Sequence, residues 1–336
     1  MTLVAQHERD EVTDGVRVLA LPKPRNRLGR MFGLTWRALR RALRQRADVY
    51  HLHDPELLPI GAILKLLTRR KVIYDVHENV PAQIRTKSWI PYKLRPAVAL
   101  SYRLGERLFL GLMDAVVLAE DSYLSQYSRC RKALVIHNYP LLTAPTKKAA
   151  TSTFQAVYVG GVTEQRGASA MVKAAGSLEE RGVNLRWVVA GPIHPRDLES
   201  ALREATAEIS GFDIVGAVTY ETGQRLIANA DVGLAVLKPT PNYIESLPTK
   251  LLEYMMAGIP VIASDFPLWR EIVEGNKCGL IVNPLDPKAI AGAIEFLIRH
   301  PEEARGMGEN GRRAVEEKYN WQEEAKKLTS LYDRIL

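Results

Sequence analysis

Two glutamates in the segment ESLPTKLLEYMMAGIPVIASDFP, Glu245 and Glu253, are the side chains best placed to do chemistry. Glu253 lies within a run of apolar residues that is typical of a buried helix. Burying an unpaired carboxylate costs several kcal/mol, so Glu253 needs a hydrogen-bonding partner. A bound ligand with hydroxyl groups would supply one. The alternative is a structural glutamate that pairs with a nearby Lys or Arg.

The residues around these glutamates predict a loop, a helix, a turn and a buried strand. Pro248 suits the first turn of a helix, so Glu245, Ser246 and Leu247 form the loop that precedes it. The unpaired amides at such a helix start can hold an anion. The sequence AGIP ends the helix, and the β-branched run after it predicts a strand.

A second candidate site follows the predicted strand FQAVYV, where the chain reads GGVTEQRG. Gly160 and Gly161 allow a ligand to approach the backbone closely, and a helix is expected to begin near Ala168. Helix-start amides together with Arg166 could hold a diphosphate. A tight turn without ligand is the alternative interpretation of the glycine pair.

In the first half of the chain, polar residues follow three predicted strands, in the sequences HLHDPE, DVHEN and HNYP. Ligands of open α/β sheets bind beyond the carboxyl ends of strands, which makes His53, Asp54 and His77 candidates. Asp54 precedes Pro55 and could instead cap a helix. His77 could be a structural histidine.

The spacing of the two glutamates, followed by a short helix, Gly, Pro and a Val-Ile strand, resembles the donor-binding signature of family-4 glycosyltransferases. The resemblance implies an α/β protein of GT-B fold, with two Rossmann-like domains facing across a cleft. It also implies that Glu245 approaches the transferred sugar, Glu253 binds the ribose hydroxyls and His77 contacts the donor sugar. The donor-binding positions implied in this way are Gly160, Gly161, Thr163, Arg166, Ser246, Leu247, Thr249, Lys250 and Glu253, with His53 and Asp54 on the acceptor side.

The family usually has Arg directly after the first Gly of the glycine pair and Lys before the last Gly, whereas this chain has Gly161 and Arg166 there. One expected cation is therefore missing, and we expect Lys250 or another base to replace it. A non-catalytic sugar-nucleotide-binding or scaffold protein is the rival hypothesis, and a GT-B-like epimerase fits the order of motifs less well.

The resemblance further implies a retaining, front-face transfer from a UDP- or GDP-linked sugar to a glycan or lipid-linked acceptor. The nucleotide sugar is then a substrate, and no cofactor is expected. Neither an Asp-x-Asp motif nor a His/Cys cluster with ligand spacing was recognised in the sequence, so no metal is expected either.

The length of 336 residues suits two α/β domains. We expect an acceptor-side domain at 1–140, a linker at 141–153, a nucleotide-sugar-binding domain at 154–319, and a helix at 320–336 that crosses back to the first domain. Cys130 and Cys278 lack metal-ligand spacing, which favours free thiols in a reducing cytosol. The charged start MTLVAQHERDE does not fit a signal peptide, and the longest apolar run is too short to span a bilayer, so we expect a cytoplasmic protein.

Residues 25–46 contain eight arginines and no acidic residue, a count equal to the net charge of +8. On a helix, one face would carry arginines and another Phe32, Trp36, Leu39 and Leu43. One hypothesis packs Phe32 and Trp36 on the sheet and leaves the arginines in water. The other docks the helix on anionic lipid at the inner face of the membrane. Nucleic acid is not an expected partner. The arginines on the shared face are Arg30, Arg37, Arg40, Arg41 and Arg44.

The start of the chain, MTLVAQ, resembles the second strand of a GT-B first domain, and the usual opening strand is missing. Because that opening strand lies centrally in a doubly wound sheet, its two neighbours are expected to have unpaired edges. If this is the true start, we expect weakened stability and loss of turnover, with donor binding retained.

Overall fold

The computed structural model describes residues 1–26, 29–87, 90–128, 130, 133–144, 153–247 and 249–336. The chain forms two compact units: unit 1 comprises Met1–His137 and Ala325–Leu336, and unit 2 comprises Asn138–Glu324. Arg27 of the basic segment, residues 145–152 of the expected linker, and Pro248 lie outside the described residues.

Unit 1 contains two sheets. The first has the strand order β1-β3-β2, in which β1 and β3 are parallel and β2 and β3 form a hairpin. Asp14 and Gly15 make its two-residue turn with φ values of 51° and 77°, the backbone that matches strand twist in a tight hairpin. The second sheet is parallel throughout, in the order β4-β5-β6-β7. The strands are β1 (Thr2–Gln6), β2 (Glu11–Thr13), β3 (Val16–Leu21), β4 (Val49–Leu52), β5 (Lys71–Val76), β6 (Ala115–Leu118) and β7 (Ala133–Val135).

Helix α2 packs on β4 and β5 of the second sheet, whereas α1 packs on β1 and β3 of the first sheet and on α2. Most of the buried apolar side chains of this core come from α2 and the strands β4 to β6. Within the described part of the chain, β1 pairs only with β3, and β4 only with β5. The helices are α1 (Thr35–Gln45), α2 (Leu58–Thr68), α3 (Val80–Thr86), α4 (Arg95–Leu110) and α5 (Leu124–Tyr127).

Helix α1 and the π-helical turn before it differ from one sequence-based hypothesis. Phe32 and Trp36 do not pack on a sheet: they are 68% and 52% exposed, whereas Leu39 of the same helix is buried. The helix therefore buries a narrower stripe than its apolar content indicates, and it leaves its aromatic residues in solvent beside the arginines. Among the described residues, no helix combines the length and apolar character that crossing a bilayer requires.

Unit 2 is built on a six-stranded parallel sheet with the order β10-β9-β8-β11-β12-β13 and helices on both faces. Alternation along the strands creates two cores, because Trp187 and Val189 face one helix layer and Val188 faces the other. The strands are β8 (Gln155–Val159), β9 (Arg186–Ala190), β10 (Phe212–Gly216), β11 (Val232–Ala235), β12 (Val261–Ser264) and β13 (Gly279–Val282).

The helices α6 to α11 of unit 2 lie between consecutive strands, and α12 to α14 follow the last strand. The last of them begins in unit 2 and continues into the part of unit 1 at Ala325–Leu336. They are α6 (Ala168–Glu180), α7 (Arg196–Thr206), α8 (Tyr220–Ala228), α9 (Pro241–Ile244), α10 (Thr249–Ala257), α11 (Pro267–Gly275), α12 (Pro287–Arg299), α13 (Pro301–Glu317) and α14 (Trp321–Ile335).

Candidate functional site

In unit 2, the glycine pair after β8 lies against two cations. Gly160 has φ +138°, and a Cβ there would lie 2.9 Å from Lys250 Nζ, while one at Gly161 would lie 3.3 Å from Arg166 Nη1. Any larger residue would occupy the space beside these cations. We call Gly160, Gly161, Arg166, Lys250 and Glu253 the glycine-pair cluster.

Arg166 is positioned by a single 3₁₀ turn, Glu164–Arg166, that precedes α6. The Thr163 hydroxyl caps this turn by accepting the Arg166 N–H at 3.2 Å. The half-buried guanidinium donates to the Gly161 carbonyl and the Tyr243 hydroxyl at 3.4 Å each. Burial opposes its charge, yet contacts with Tyr243 and Tyr158 raise the pKa of Arg166 above its usual value. The cation stays charged, and its guanidinium lies beside the backbone of the glycine pair.

Lys250 is a buried cation on the first turn of α10, with only 8% of the residue exposed. Its Nζ donates to the Tyr158 hydroxyl at 2.9 Å and lies 4.1 Å from the centre of that ring. Burial, reinforced by the charge of Arg166, lowers the pKa of Lys250 to about 7. Lys250 lies beside Gly160 and close to Arg166, and an anion bound beside it would favour its charged form.

Glu253 follows Lys250 by three residues on α10, so the two side chains share one face of the helix. It is half-buried, and burial raises the pKa of its carboxyl, an effect that Lys250 partly offsets. No residue in the described ranges makes a hydrogen bond to this carboxylate or an ion pair with it. The sequence-based alternative of a structural pair with Lys or Arg is thus not observed as a direct contact.

The backbone of the loop before α10 makes hydrogen bonds that its sequence does not indicate. Glu245 is exposed and follows the single turn α9. The Ser246 N–H donates to the Tyr243 carbonyl at 3.3 Å, so the expectation that this amide is unpaired was wrong. Trp269 Nε1 donates to the Ser246 carbonyl at 2.7 Å and anchors the loop. Leu247 and Thr249 flank Pro248, which is outside the described residues.

In unit 1, four side chains meet at the carboxyl ends of β4 and β5. His51 lies in β4 and is followed two residues later by His53. Asp75 lies in β5 and is followed two residues later by His77. Side chains two residues apart in a strand point to the same face, so neighbouring parallel strands bring all four together. We call His51, His53, Asp75 and His77 the histidine cluster.

The three imidazoles of the histidine cluster surround one buried carboxylate. Asp75 Oδ2 lies 3.4 Å from both His51 Nε2 and His53 Nδ1, and Asp75 Oδ1 lies 3.3 Å from His77 Nε2. Burial alone would raise the pKa of the Asp75 carboxyl, but interactions with the three imidazoles hold it well below its usual range. Asp75 in turn raises the pKa of His77.

Sequence reasoning identified His53 and His77 but missed His51, Asp75 and Tyr332, whose hydroxyl lies 2.7 Å from His51 Nδ1. The signal was present as H-x-H and D-x-H after two adjacent strands. His51, His53 and Asp75 also place one ligand atom each within 4.8 Å of one another, a grouping in space that the search for His/Cys ligand spacing along the sequence does not detect.

A pocket of ≈ 230 Å³ adjoins the histidine cluster in unit 1. Asp54 lines it and stands before a 3₁₀ turn that begins at Pro55, as a capping residue would, but its side chain makes no capping hydrogen bond. Its carboxylate is therefore not used by the local backbone. The pocket is lined by His53, Asp54, Pro55, Tyr74, His77, Glu78 and Val80.

Two family models match almost the whole chain. The model described as Glycosyl transferases group 1 matches residues 144–314, and the one described as Glycosyl transferase 4-like domain matches residues 2–133. An alpha-D-kanosaminyltransferase of Streptomyces kanamyceticus is 27% identical over 220 residues, which cover 65% of this chain and 53% of that protein. The chain spans about half the length of the curated relatives it matches.

Solved structures give the same fold at low sequence identity. Sucrose-phosphate synthase from Thermosynechococcus elongatus has a TM-score of 0.78 at 19% identity, covering 99% of this chain and 88% of that one. Anabaena Alr3699/HepE in complex with UDP-glucose has a TM-score of 0.67 at 14% identity, covering 98% and 100%. With the family models, these likenesses confirm the GT-B fold, and the chain belongs to the glycosyl transferases group 1 family.

Proposed function

We propose that this protein is a retaining glycosyltransferase that moves a sugar from a UDP- or GDP-linked donor to a glycan or lipid-linked acceptor. Membership of the family supports sugar transfer, and the UDP-glucose complex of HepE supports a nucleotide-sugar donor. The observation that carries the proposal is the Glu253 carboxylate, which is half-buried beside Lys250 and has no hydrogen bond or ion pair in the described ranges. A ribose offers the hydroxyl donors that such a carboxylate lacks.

In this proposal the donor binds to the glycine-pair cluster of unit 2. Lys250 and Arg166 neutralise the diphosphate, and the glycine pair lets its oxygens approach the backbone. Glu253 accepts hydrogen bonds from the ribose, and Glu245 contacts the transferred sugar. Thr163, Ser246, Leu247 and Thr249 belong to the same donor side. His77 is assigned to catalysis, and His53 and Asp54 to the acceptor.

The proposed transfer keeps the configuration at the anomeric carbon by front-face attack. The bond from that carbon to the diphosphate oxygen breaks, a bond to the acceptor oxygen forms on the same face, and the acceptor proton passes to a phosphate oxygen. Lys250 and Arg166 stabilise the negative charge that develops on the leaving diphosphate. Because two cations are already present, the proposed reaction does not use a divalent metal at the diphosphate.

The test is a thermal-shift screen of UDP- and GDP-linked sugars on the whole protein, followed by turnover of the labelled donor. We expect one nucleotide to raise the melting temperature and Glu253→Ala to weaken its binding by roughly 1 to 3 kcal/mol. Glu271→Ala, an exposed glutamate of α11, is the control and should change nothing. NMR of the product reports retention, and equal rates with and without EDTA report metal independence. Binding without turnover would favour the non-catalytic alternative.

Membrane attachment is a second proposal, favoured by the exposed aromatic residues of the basic segment. Phe32 and Trp36 are in solvent, and the Arg40 guanidinium lies 5.1 Å from the Trp36 ring centre. Arg30 and Arg41 are ion-paired with Glu56 and Asp10, which leaves Arg37, Arg40 and Arg44 exposed. Aromatic rings beside free arginines suit the interface of an anionic bilayer.

Helix α4 carries a second exposed apolar row. It exposes Leu100, Leu104 and Leu108 at 59%, 56% and 73%, with Arg103 and Arg107 on the same helix. Helices α1 and α4 both pack on α2. We therefore propose that both α1 and α4 contact anionic lipid.

Co-sedimentation with phosphatidylserine-containing vesicles at physiological salt tests the attachment, with neutral vesicles in parallel. Arg40→Gln combined with Arg44→Gln should lower the partition coefficient roughly 30-fold, because each basic residue near the surface contributes about 1 kcal/mol. Phe32→Ser combined with Trp36→Ser should also lower it. Arg305→Ala, an exposed arginine of α13, is the control. Equal binding to neutral and anionic vesicles would rule the attachment out.

A further inference from the structure

The histidine cluster of unit 1 contains more ligand-type side chains than the proposed transfer uses. Its members come from the alternation of two parallel strands, so the backbone fixes their spacing before any ligand arrives. His51 and Asp75 are largely buried, at 14% and 11% side-chain exposure, and take no part in the proposed function. Their position needs a separate explanation.

The distances from Asp75 Oδ2 to the two imidazoles of His51 and His53 suit coordination better than hydrogen bonding. His51 Nε2 and His53 Nδ1 each lie 3.4 Å from Asp75 Oδ2, longer than a good N–H···O hydrogen bond. Ligand atoms around a tetrahedral Zn²⁺, with bonds of about 2.1 Å, are about 3.4 Å apart. Within the part of the chain that the structure describes, His51 Nε2 is also buried without a hydrogen-bond partner, which is costly unless something else satisfies it.

Tyr332 provides the support that a metal-binding histidine needs. Its hydroxyl lies 2.7 Å from His51 Nδ1, and the remaining nitrogen, Nε2, is the one that faces Asp75. A proton on Nδ1, donated to the tyrosine oxygen, leaves the lone pair on Nε2 directed at the carboxylate. Such a second partner commonly fixes the tautomer and orientation of a ligating imidazole.

We propose that His51 Nε2, His53 Nδ1 and Asp75 Oδ2 form a binding site for one divalent first-row transition ion of the Zn²⁺ type. Two imidazoles and one carboxylate are a donor set that Zn²⁺ accepts, and such sites keep a further position for water. His77 adjoins the site, with Nε2 3.2 Å from His53 Nδ1. The site belongs to unit 1 alone and does not rest on the proposed transfer.

The test measures Zn²⁺ binding to the whole metal-stripped protein by competition with a chromophoric chelator, and Co²⁺ binding by its visible absorption. We expect one equivalent per chain. His51→Gln, His53→Gln and Asp75→Asn should each reduce affinity by more than roughly 100-fold, and Tyr332→Phe by roughly 10-fold. His300→Gln, in an exposed pair with Glu303 on unit 2, and Asp213→Asn, in an exposed pair with Arg186, should have no effect.

His53→Gln keeps the test valid if the buried variants misfold, because the His53 side chain is 56% exposed and its replacement leaves the core intact. Absence of a stoichiometric equivalent in the wild type would overturn the proposal. So would Zn²⁺ affinity in His53→Gln equal to that of the wild type. Because neither readout uses donor or turnover, failure here would leave the proposed transfer unaffected, and the reverse also holds.

Discussion

The glycine-pair cluster and the histidine cluster occupy the same place in two parallel sheets, beyond the carboxyl ends of strands, but their charges are arranged in opposite ways. In unit 2, burial and the nearby charge of Arg166 lower the pKa of Lys250 to about 7, and Glu253 only partly offsets this. In unit 1, Asp75 is buried among imidazoles, and its pKa is lowered because those partners favour the carboxylate. The glycine-pair cluster thus has two cations and one carboxylate that they do not contact directly, whereas the histidine cluster has one carboxylate surrounded by imidazoles.

The largest effect that would sharpen this comparison is loss of the two cations. Arg166→Met and Lys250→Met should each lower the turnover of labelled donor by about 10² to 10³-fold, because each removes stabilisation of the leaving diphosphate. Arg186→Met, which removes an exposed ion pair with Asp213 in the same unit, is the control. Turnover in both variants equal to that of the control would show that the diphosphate is neutralised elsewhere.

The next effect concerns Glu253 and the ribose. Glu253→Gln should weaken nucleotide binding by roughly 1 to 3 kcal/mol, since a neutral amide accepts a weaker hydrogen bond than a carboxylate. The wild type should bind a 2′,3′-dideoxynucleotide more weakly than the nucleotide by a similar free energy. In Glu253→Gln the same removal of the ribose hydroxyls should cost little further binding free energy, because the two groups are partners in a double-mutant cycle. Calorimetric titration measures both. Fully additive losses would place the ribose away from Glu253.

A smaller and graded effect is the dependence of donor binding on pH. Free Lys250 is charged below about pH 7 and neutral above it, while a bound diphosphate raises its pKa. Binding therefore takes up a proton above pH 7, and affinity should fall by up to about tenfold per pH unit there and stay level below. A nucleotide sugar is the suitable probe, because its diphosphate does not titrate in this range. Lys250→Met should abolish the slope, and an unchanged slope in that variant would contradict the assignment.

The sequence predicted β8 and β12 of unit 2 because their apolar, β-branched runs lie next to glycine and proline signals. It missed β10, where Asp213 and Gly216 interrupt the apolar pattern. It also predicted Gly160, Gly161, Arg166 and Glu253 as one site, which depends on the order of motifs along the chain.

What the sequence did not show depends on contacts between distant positions. Lys250 and Tyr158 are 92 residues apart in sequence, so the burial and lowered pKa of Lys250 follow from this long-range contact and not from the local sequence pattern. His51 and Asp75 become partners only when β4 and β5 are in register. In the basic segment the sequence predicted a contact that does not form. Helical periodicity places Phe32 and Trp36 on an apolar face, but the sheet does not cover them.

The smallest expected effect distinguishes acceptor binding in unit 1 from donor binding in unit 2. His53→Ala and Asp54→Ala should raise the acceptor KM several-fold, about the loss of one neutral hydrogen bond, and leave the donor Kd unchanged. The reason is that both residues line the pocket of unit 1, whereas the proposed donor contacts belong to unit 2. Initial rates at varied acceptor, with donor binding measured separately, give the two constants. A weakened donor Kd in either variant would contradict the assignment of that residue to the acceptor, since its side chain would then contribute to donor binding as well.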